Sequence, residues 1–125
     1  MTIQPQRDYA AYLPYARALT AYRRTDPQLA ARRERAWSVA REIARFLRNQ
    51  YQPARIRLFG SLLQPELFHA QSDIDLAVEG IPWLAYLRAW NEVERRFTEF
   101  KVDLIDPGIV SAGLRQVIEE QGVDL

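Results

Sequence analysis

Two hydrophobic periods organise the chain. Over the first fifty residues apolar positions recur three and four apart, the spacing of one face of a helix. Tyr9, Tyr12, Leu13, Ala16, Leu19 and Tyr22 mark a helix from Tyr9 to Arg24, with Pro14 placed to start or kink it. Thr25-Asp26-Pro27 stops and restarts the pattern, since Asp26 suits an N-cap and Pro27 the first helical position. A second helix then runs to about Tyr51. Its stripe is Leu29, Ala36, Ala40, Ile43 and Leu47, widened by Trp37, Val39 and Phe46, and Gln52-Pro53 ends it.

Beyond Pro53 the period shortens to that of strands. Ile56 to Phe59 predicts a strand, Gly60-Ser61 a turn, and Leu62 to Leu67 a helical turn or two. After a loop over His69–Ser72, a second strand spans Asp73 to Val78 and closes at Gly80. Pro82 opens a helix through about Thr98, with Trp83, Tyr86, Leu87, Trp90, Val93 and Phe97 at helical spacing. Lys101 to Ile105 is a third strand, ended by Asp106-Pro107-Gly108. Ser111 can cap a last helix, Gly122 is placed to stop it in a left-handed cap, and Val123-Asp124-Leu125 can add a short terminal strand. The order predicts an α/β (α+β) fold, a small mixed sheet with helices packed against it. A single domain over 1–125 is expected, with 1–52 a helical extension and 54–125 the core that carries the chemistry.

Composition narrows the class. The 125 residues are 48% hydrophobic and 26% charged, as in ordinary globular chains. The absence of cysteine excludes disulfides and thiolate metal sites and suits a cytoplasmic protein. No apolar run reaches the roughly 20 residues of a membrane span, and MTIQPQRDYAAY has no signal-peptide core. The net charge of +1 conceals an asymmetry: twelve arginines against four acids up to residue 58 (+8), then five bases against twelve acids (−7). Helix faces that complement one another explain this most simply; the sharper alternative is a basic half that attracts a polyanion while the acids hold cations.

The acids have a pattern of their own. In Asp73-Ile74-Asp75-Leu76-Ala77-Val78, alternation puts Asp73, Asp75 and Ala77 on one sheet face and Ile74, Leu76 and Val78 on the other, which is the core. In the third strand Val102 and Leu104 face one way, and Lys101, Asp103 and Ile105 the other. If the two strands are neighbours, Asp103 joins Asp73 and Asp75. Carboxylates so crowded raise one another's pKa, and divalent cations such as Mg²⁺, which take hard oxygen ligands, relieve this. Gly60-Ser61, between a strand and a helical turn, is a place where backbone N–H groups bind phosphate. Taken singly, a D-x-D is most often a solvent-facing sheet surface and a Gly-Ser most often only a turn.

Together, LFGS, eleven residues, DIDLAV and the later VDLID resemble the minimal nucleotidyltransferases of the DNA polymerase β-like superfamily over about residues 54–125. The resemblance implies that Asp73, Asp75 and Asp103 bind Mg²⁺, as two ions, and serve catalysis, with Asp103 helping to activate an acceptor hydroxyl. It implies that Gly60 and Ser61 bind the β- and γ-phosphates of ATP. A nucleoside monophosphate, AMP, would pass to a hydroxyl, in antitoxin members a tyrosine of a HEPN-type toxin partner. The chain departs from Gly-Ser-Arg-Ala-Arg-Gly, since Leu62-Leu63-Gln64-Pro65-Glu66 follows Ser61. Arg57, or an arginine of the long helix, could replace the missing cations. The rival reading is an antitoxin of the same fold that neutralises its partner by occlusion, with weak or lost catalysis. A third is transfer to a small molecule or RNA.

Three other groups stand out. His69, the one histidine, reads as an exposed loop residue, with contact to phosphate or acceptor the alternative. Trp83 and Trp90 read as core or interface packing. Tyr9, Tyr12, Tyr15 and Tyr22 read as packing on the domain itself, with a partner or a second copy the alternative. No membrane association or nucleic-acid binding is expected, since no reading module accompanies the arginine helix.

Overall fold

The structure, a computed structural model, describes residues 13–125, with side chains from residue 16 onward. Tyr9 and Tyr12 lie outside the described residues. Four helices, α1 (Leu13–Thr25), α2 (Pro27–Tyr51), α3 (Trp83–Arg96) and α4 (Ala112–Gln121), accompany four strands among the described residues. The strands are β1 (Arg55–Phe59), β2 (Ile74–Glu79), β3 (Val102–Ile105) and β4 (Val123–Asp124). They form one mixed sheet in the order β3-β2-β1-β4, with β2 parallel to β3 and both other pairings antiparallel. This is the α+β architecture expected from the periodicity.

Local chemistry explains the boundaries. The Asp26 carboxylate accepts from the Leu29 N–H at 3.2 Å and Pro27 opens α2, so the cap read from the sequence is the cap present. At its far end Gln52 turns left-handed at φ 52°, and its N–H closes on the Leu47 carbonyl. The Ser111 hydroxyl accepts from Leu114 N–H to start α4. Gly122 departs from expectation: at φ −64° and ψ 144° it is extended, not left-handed. The chain passes straight from α4 into β4, and a terminating left-handed turn would aim it away from β1. Gly122 is nonetheless tightly placed, since an added Cβ would lie 2.4 Å from the Ile118 carbonyl oxygen.

The sheet is covered on both faces. One face, with Ile56, Leu58, Ile74, Leu76, Val78, Val102 and Leu104, packs on Ala36, Val39, Ala40, Ile43 and Leu47 of α2 and on Ala89 and Val93 of α3. The other face carries Phe59 and Ala77 against Ile118 of α4, flanked by Ile105 and Leu114. The strand alternation read from the sequence therefore holds on both sides. α1 packs on α2, and Tyr22 is exposed rather than packed on the domain. Trp90 packs at the edge of the core as expected, whereas Trp83 is 56% exposed and stacks on Tyr86.

The charge asymmetry is met in part within the molecule. Arg35 pairs with Glu99 at 2.9 Å, Arg55 with Asp124 at 2.7 Å, and Arg57 with Glu79. Each joins the basic first half to the acidic second.

Candidate metal and nucleotide site

Parallel pairing of β2 and β3 puts Asp75 directly beside Asp103. Asp73 stands one step before β2 on the same face. A carboxylate oxygen from each of the three can be chosen so that all lie within 4.8 Å of one another, with all three residues half-buried. The trio sits where strand alternation puts it, at one end of the sheet, on the face that Ala77 and α4 share farther along.

The electrostatics follow from this crowding. Burial first, then the charges of Asp103 and Asp73, push the Asp75 carboxyl up from 3.8 to about 6. Among the described residues the cation paired with the trio is Lys101, whose ammonium lies 3.8 Å from Asp73 Oδ2 and whose side chain is 72% exposed. One exposed lysine leaves three carboxylates under-compensated. An all-oxygen donor set with surplus negative charge fits a hard divalent cation such as Mg²⁺.

Gly60 is joined to the trio through space. It follows β1, whose Phe59 pairs with Asp75, and it adopts φ 86° and ψ −159°, a region open essentially to glycine alone. A Cβ there would lie 2.4 Å from Asp75 Oδ2. The glycine therefore makes room for the carboxylate as well as for the turn. Ser61 begins a single 3-10 turn, Ser61–Leu63, whose bonds run from Leu63 N–H to the Gly60 carbonyl and from Gln64 N–H to the Ser61 carbonyl. Those bonds leave the N–H groups of Ser61 and Leu62 unused by the turn itself. All five predicted site residues, Gly60, Ser61, Asp73, Asp75 and Asp103, meet at this end of the sheet.

The suggested replacement of the missing cations by Arg57 does not hold. Arg57 is 3% exposed and is held by Glu79 at the opposite end of β2. Leu62, which stands where a cation was expected, is fully buried in the core and cannot give way to one. His69 turns out to shape its own loop: its Nδ1 accepts from Gln71 N–H at 3.1 Å and its N–H donates to Ser72 Oγ at 2.9 Å. That loop leads directly into Asp73. Lys101 stands beside the carboxylates as well, and the signal for it in the sequence is the alternation that puts it on the strand face of Asp103.

An α+β sheet with a carboxylate trio at one end, beside a glycine-initiated turn, defines a protein with a candidate divalent-cation centre. Residues 41–125 match the family described as polymerase beta, nucleotidyltransferase, and the chain belongs to that family. Solved structures agree. A toxin–antitoxin crystallised with AMP-PNP is 29% identical, with a TM-score of 0.56 over 68% of this chain and 70% of that one. A mutant of the toxin–antitoxin MntA–HpeT is 27% identical, with a TM-score of 0.54 over the same shares. A structure described as a minimal nucleotidyltransferase is 26% identical, with a TM-score of 0.53 over 78% of this chain and 93% of that one. No curated protein matches the sequence. The matched region begins inside α2, so part of the long helix belongs to what the family shares.

Proposed function

We propose that this protein is a Mg²⁺-dependent nucleotidyltransferase that moves AMP from ATP to a hydroxyl of a protein partner, as the antitoxin of a toxin–antitoxin pair. The observation that carries the reading is the convergence of Asp73, Asp75 and Asp103 with the Gly60–Ser61 turn. In this reading the three carboxylates hold the cation, and Gly60 and Ser61 offer backbone N–H groups and a hydroxyl to the β- and γ-phosphates. The bound ion supplies charge neutralisation to the triphosphate and orients it. The acceptor oxygen bonds to the α-phosphorus as the bond from that phosphorus to pyrophosphate breaks, and the hydroxyl proton passes to the carboxylate cluster, with Asp103 the nearest to the β3 edge. The acceptor is a tyrosine of a HEPN-type toxin, and the pair works in the cytoplasm.

Neutralisation by occlusion alone is the second reading, and one observation favours it. Leu62 is a core residue and Arg57 is tied to Glu79, so the triphosphate side of the turn has no cation from either. Incubation with labelled ATP, Mg²⁺ and the HEPN-type partner separates the two. Transfer should label the partner and should vanish in the double variant Asp73→Asn, Asp75→Asn. Label transfer that survives in that variant, or none from the wild type, removes the enzymatic reading.

A further inference from the structure

A cleft of about 590 Å³ opens beside Asp73, between the loop that leads into β2, the start of β3, and α2 and α3. Its walls include Arg32, Asp73, Phe97, Thr98, Phe100 and Lys101, with Glu94 and Glu99 adding two further carboxylates. The volume falls within the usual range for sites that hold a small molecule or a side chain.

The sheet topology fixes where this cleft lies relative to the phosphate end. β2 stands between β1 and β3. β1 runs antiparallel to β2, so its last residue, Phe59, and then Gly60, reach the end of β2 that carries Asp75. β3 runs parallel to β2, so Lys101, just before it, comes to the same end from the other side. Gly60–Ser61 and Lys101 therefore flank the carboxylates, two strand spacings or roughly 10 Å apart. In an in-line displacement the attacking oxygen and the leaving pyrophosphate lie on opposite sides of the α-phosphorus. With pyrophosphate on Gly60–Ser61, the attacking oxygen comes from the Lys101 side.

The cleft walls suit an aromatic hydroxyl. Phe97 is half-buried, and Phe100 lies beneath the Arg32 guanidinium, 4.5 Å from ring centroid to Cζ. Arg32 Nε is shielded from water and has no hydrogen-bond partner among the described residues, although the Arg32 charge also bears on Glu99 at the same cleft. Arg35, one turn on, is by contrast committed to Glu99. Thr98 is exposed at the rim.

We propose that this cleft is the acceptor subsite: it seats an aromatic side chain of the partner against Phe97 and Arg32, with its hydroxyl between Lys101 and Asp73. Arg32 and Lys101 are positioning residues for the acceptor and do not hold the nucleotide. The inference rests on the nucleotidyl-transfer reading given above. The new bond joins the phenolic oxygen to the α-phosphorus, the bond to pyrophosphate breaks, and the phenolic proton goes to the carboxylate cluster.

Labelled-ATP transfer to the HEPN-type partner, measured across partner concentration, tests this with Arg32→Ala and Thr98→Trp. The second variant fills the cleft from an exposed position and leaves the core intact. Each should raise the KM for the partner about tenfold, Arg32→Ala through the loss of roughly one cation–π contact and Thr98→Trp by crowding the acceptor out, with the Kd for Mg²⁺·ATP unchanged. A raised Kd for Mg²⁺·ATP with an unchanged KM for the partner would assign the cleft to the nucleoside and overturn the inference. Unchanged values for both would show that the cleft is unused. Absence of any transfer by the wild type would instead remove the enzymatic reading, and this inference with it.

Discussion

Asp75→Asn should make the metal-free protein more stable at neutral pH. Asp75 titrates near 6 against an ordinary 3.8, raised by burial first and then by Asp103 and Asp73. A shift of that size corresponds to about 3 kcal/mol at 1.36 kcal/mol per unit. Water reaches the half-buried trio and screens it, which brings the effect to about 1–2 kcal/mol. The sign follows from proton linkage. The folded state binds the Asp75 proton more tightly than the unfolded chain does. The stability this confers is complete below the unfolded value near pH 4. It is lost between about pH 4 and 6 and stays lost above that. Asparagine removes the charge, so the variant escapes the loss. For a domain of this size the gain is about 4–8 °C in Tm at pH 7.5. Thermal melts of wild type and variant in EDTA from pH 4 to 8 measure it. The two should coincide near pH 4 and diverge to a plateau above pH 6. A variant no more stable than wild type at pH 7.5, or a gap already present at pH 4, would refute the account. Mg²⁺ should reverse the order. At a hundredfold excess over Kd it stabilises the wild type by about 2.7 kcal/mol, and the variant, short of a ligand, should gain much less.

Gly60→Ala forces a side chain into φ 86° and against Asp75 Oδ2 at 2.4 Å, at a cost of roughly 2 kcal/mol. It should lower Tm and shrink the Mg²⁺-induced rise, and a variant that keeps the full rise would show that Gly60 does not shape the carboxylate site. Glu79→Gln leaves the Arg57 guanidinium, 3% exposed, without its counter-charge and should cost about 2–3 kcal/mol in denaturant melts, with Arg57→Met in the same chain restoring most of it. Neither change should alter the Kd for Mg²⁺·ATP, and a loss of nucleotide affinity would return Arg57 to the phosphate site.

Much of this site was legible because strands obey a simple rule. Asp73, Asp75 and Ala77 fall on one face whatever the neighbours are, and Asp103 needed only the adjacency that β2 and β3 provide. The caps of α2 and α4 were legible for a similar reason, since Asp26 and Ser111 act within three residues of themselves. What escaped depends on distant parts of the chain. Arg57 shares the face of Phe59 and Ala77, but its partner Glu79 is 22 residues away and is set by the register of β1 on β2. Gly122 is extended because β1 has an edge for β4 to join, which no local signal carries. The cleft of Arg32 and Phe100 joins residues 68 apart in sequence through helix packing.

The charge distribution around the carboxylates follows from the same packing. A turn after Ser61 with arginines would place cations beside the triphosphate. Here the chain spends that position on the core, since Leu62 is fully buried where α2 crosses the start of the turn. The cations that remain near the trio, Lys101 and Arg32, lie on the other side of β2, along the cleft that Asp73 also lines. A triphosphate on the Gly60–Ser61 side would therefore meet backbone N–H groups and the bound ion but no side-chain cation from Leu62 or Arg57. Nucleotide affinity in this chain should depend on the divalent ion more steeply than in relatives with a basic turn, while the side-chain cations lie on the β3 side, Lys101 beside Asp73 and Arg32 over Phe100. That polarity unites the two readings of the protein. If the cleft seats the acceptor as proposed, partner recognition and the attacking side of the site share one edge of the sheet, and occlusion and transfer would draw on the same surface.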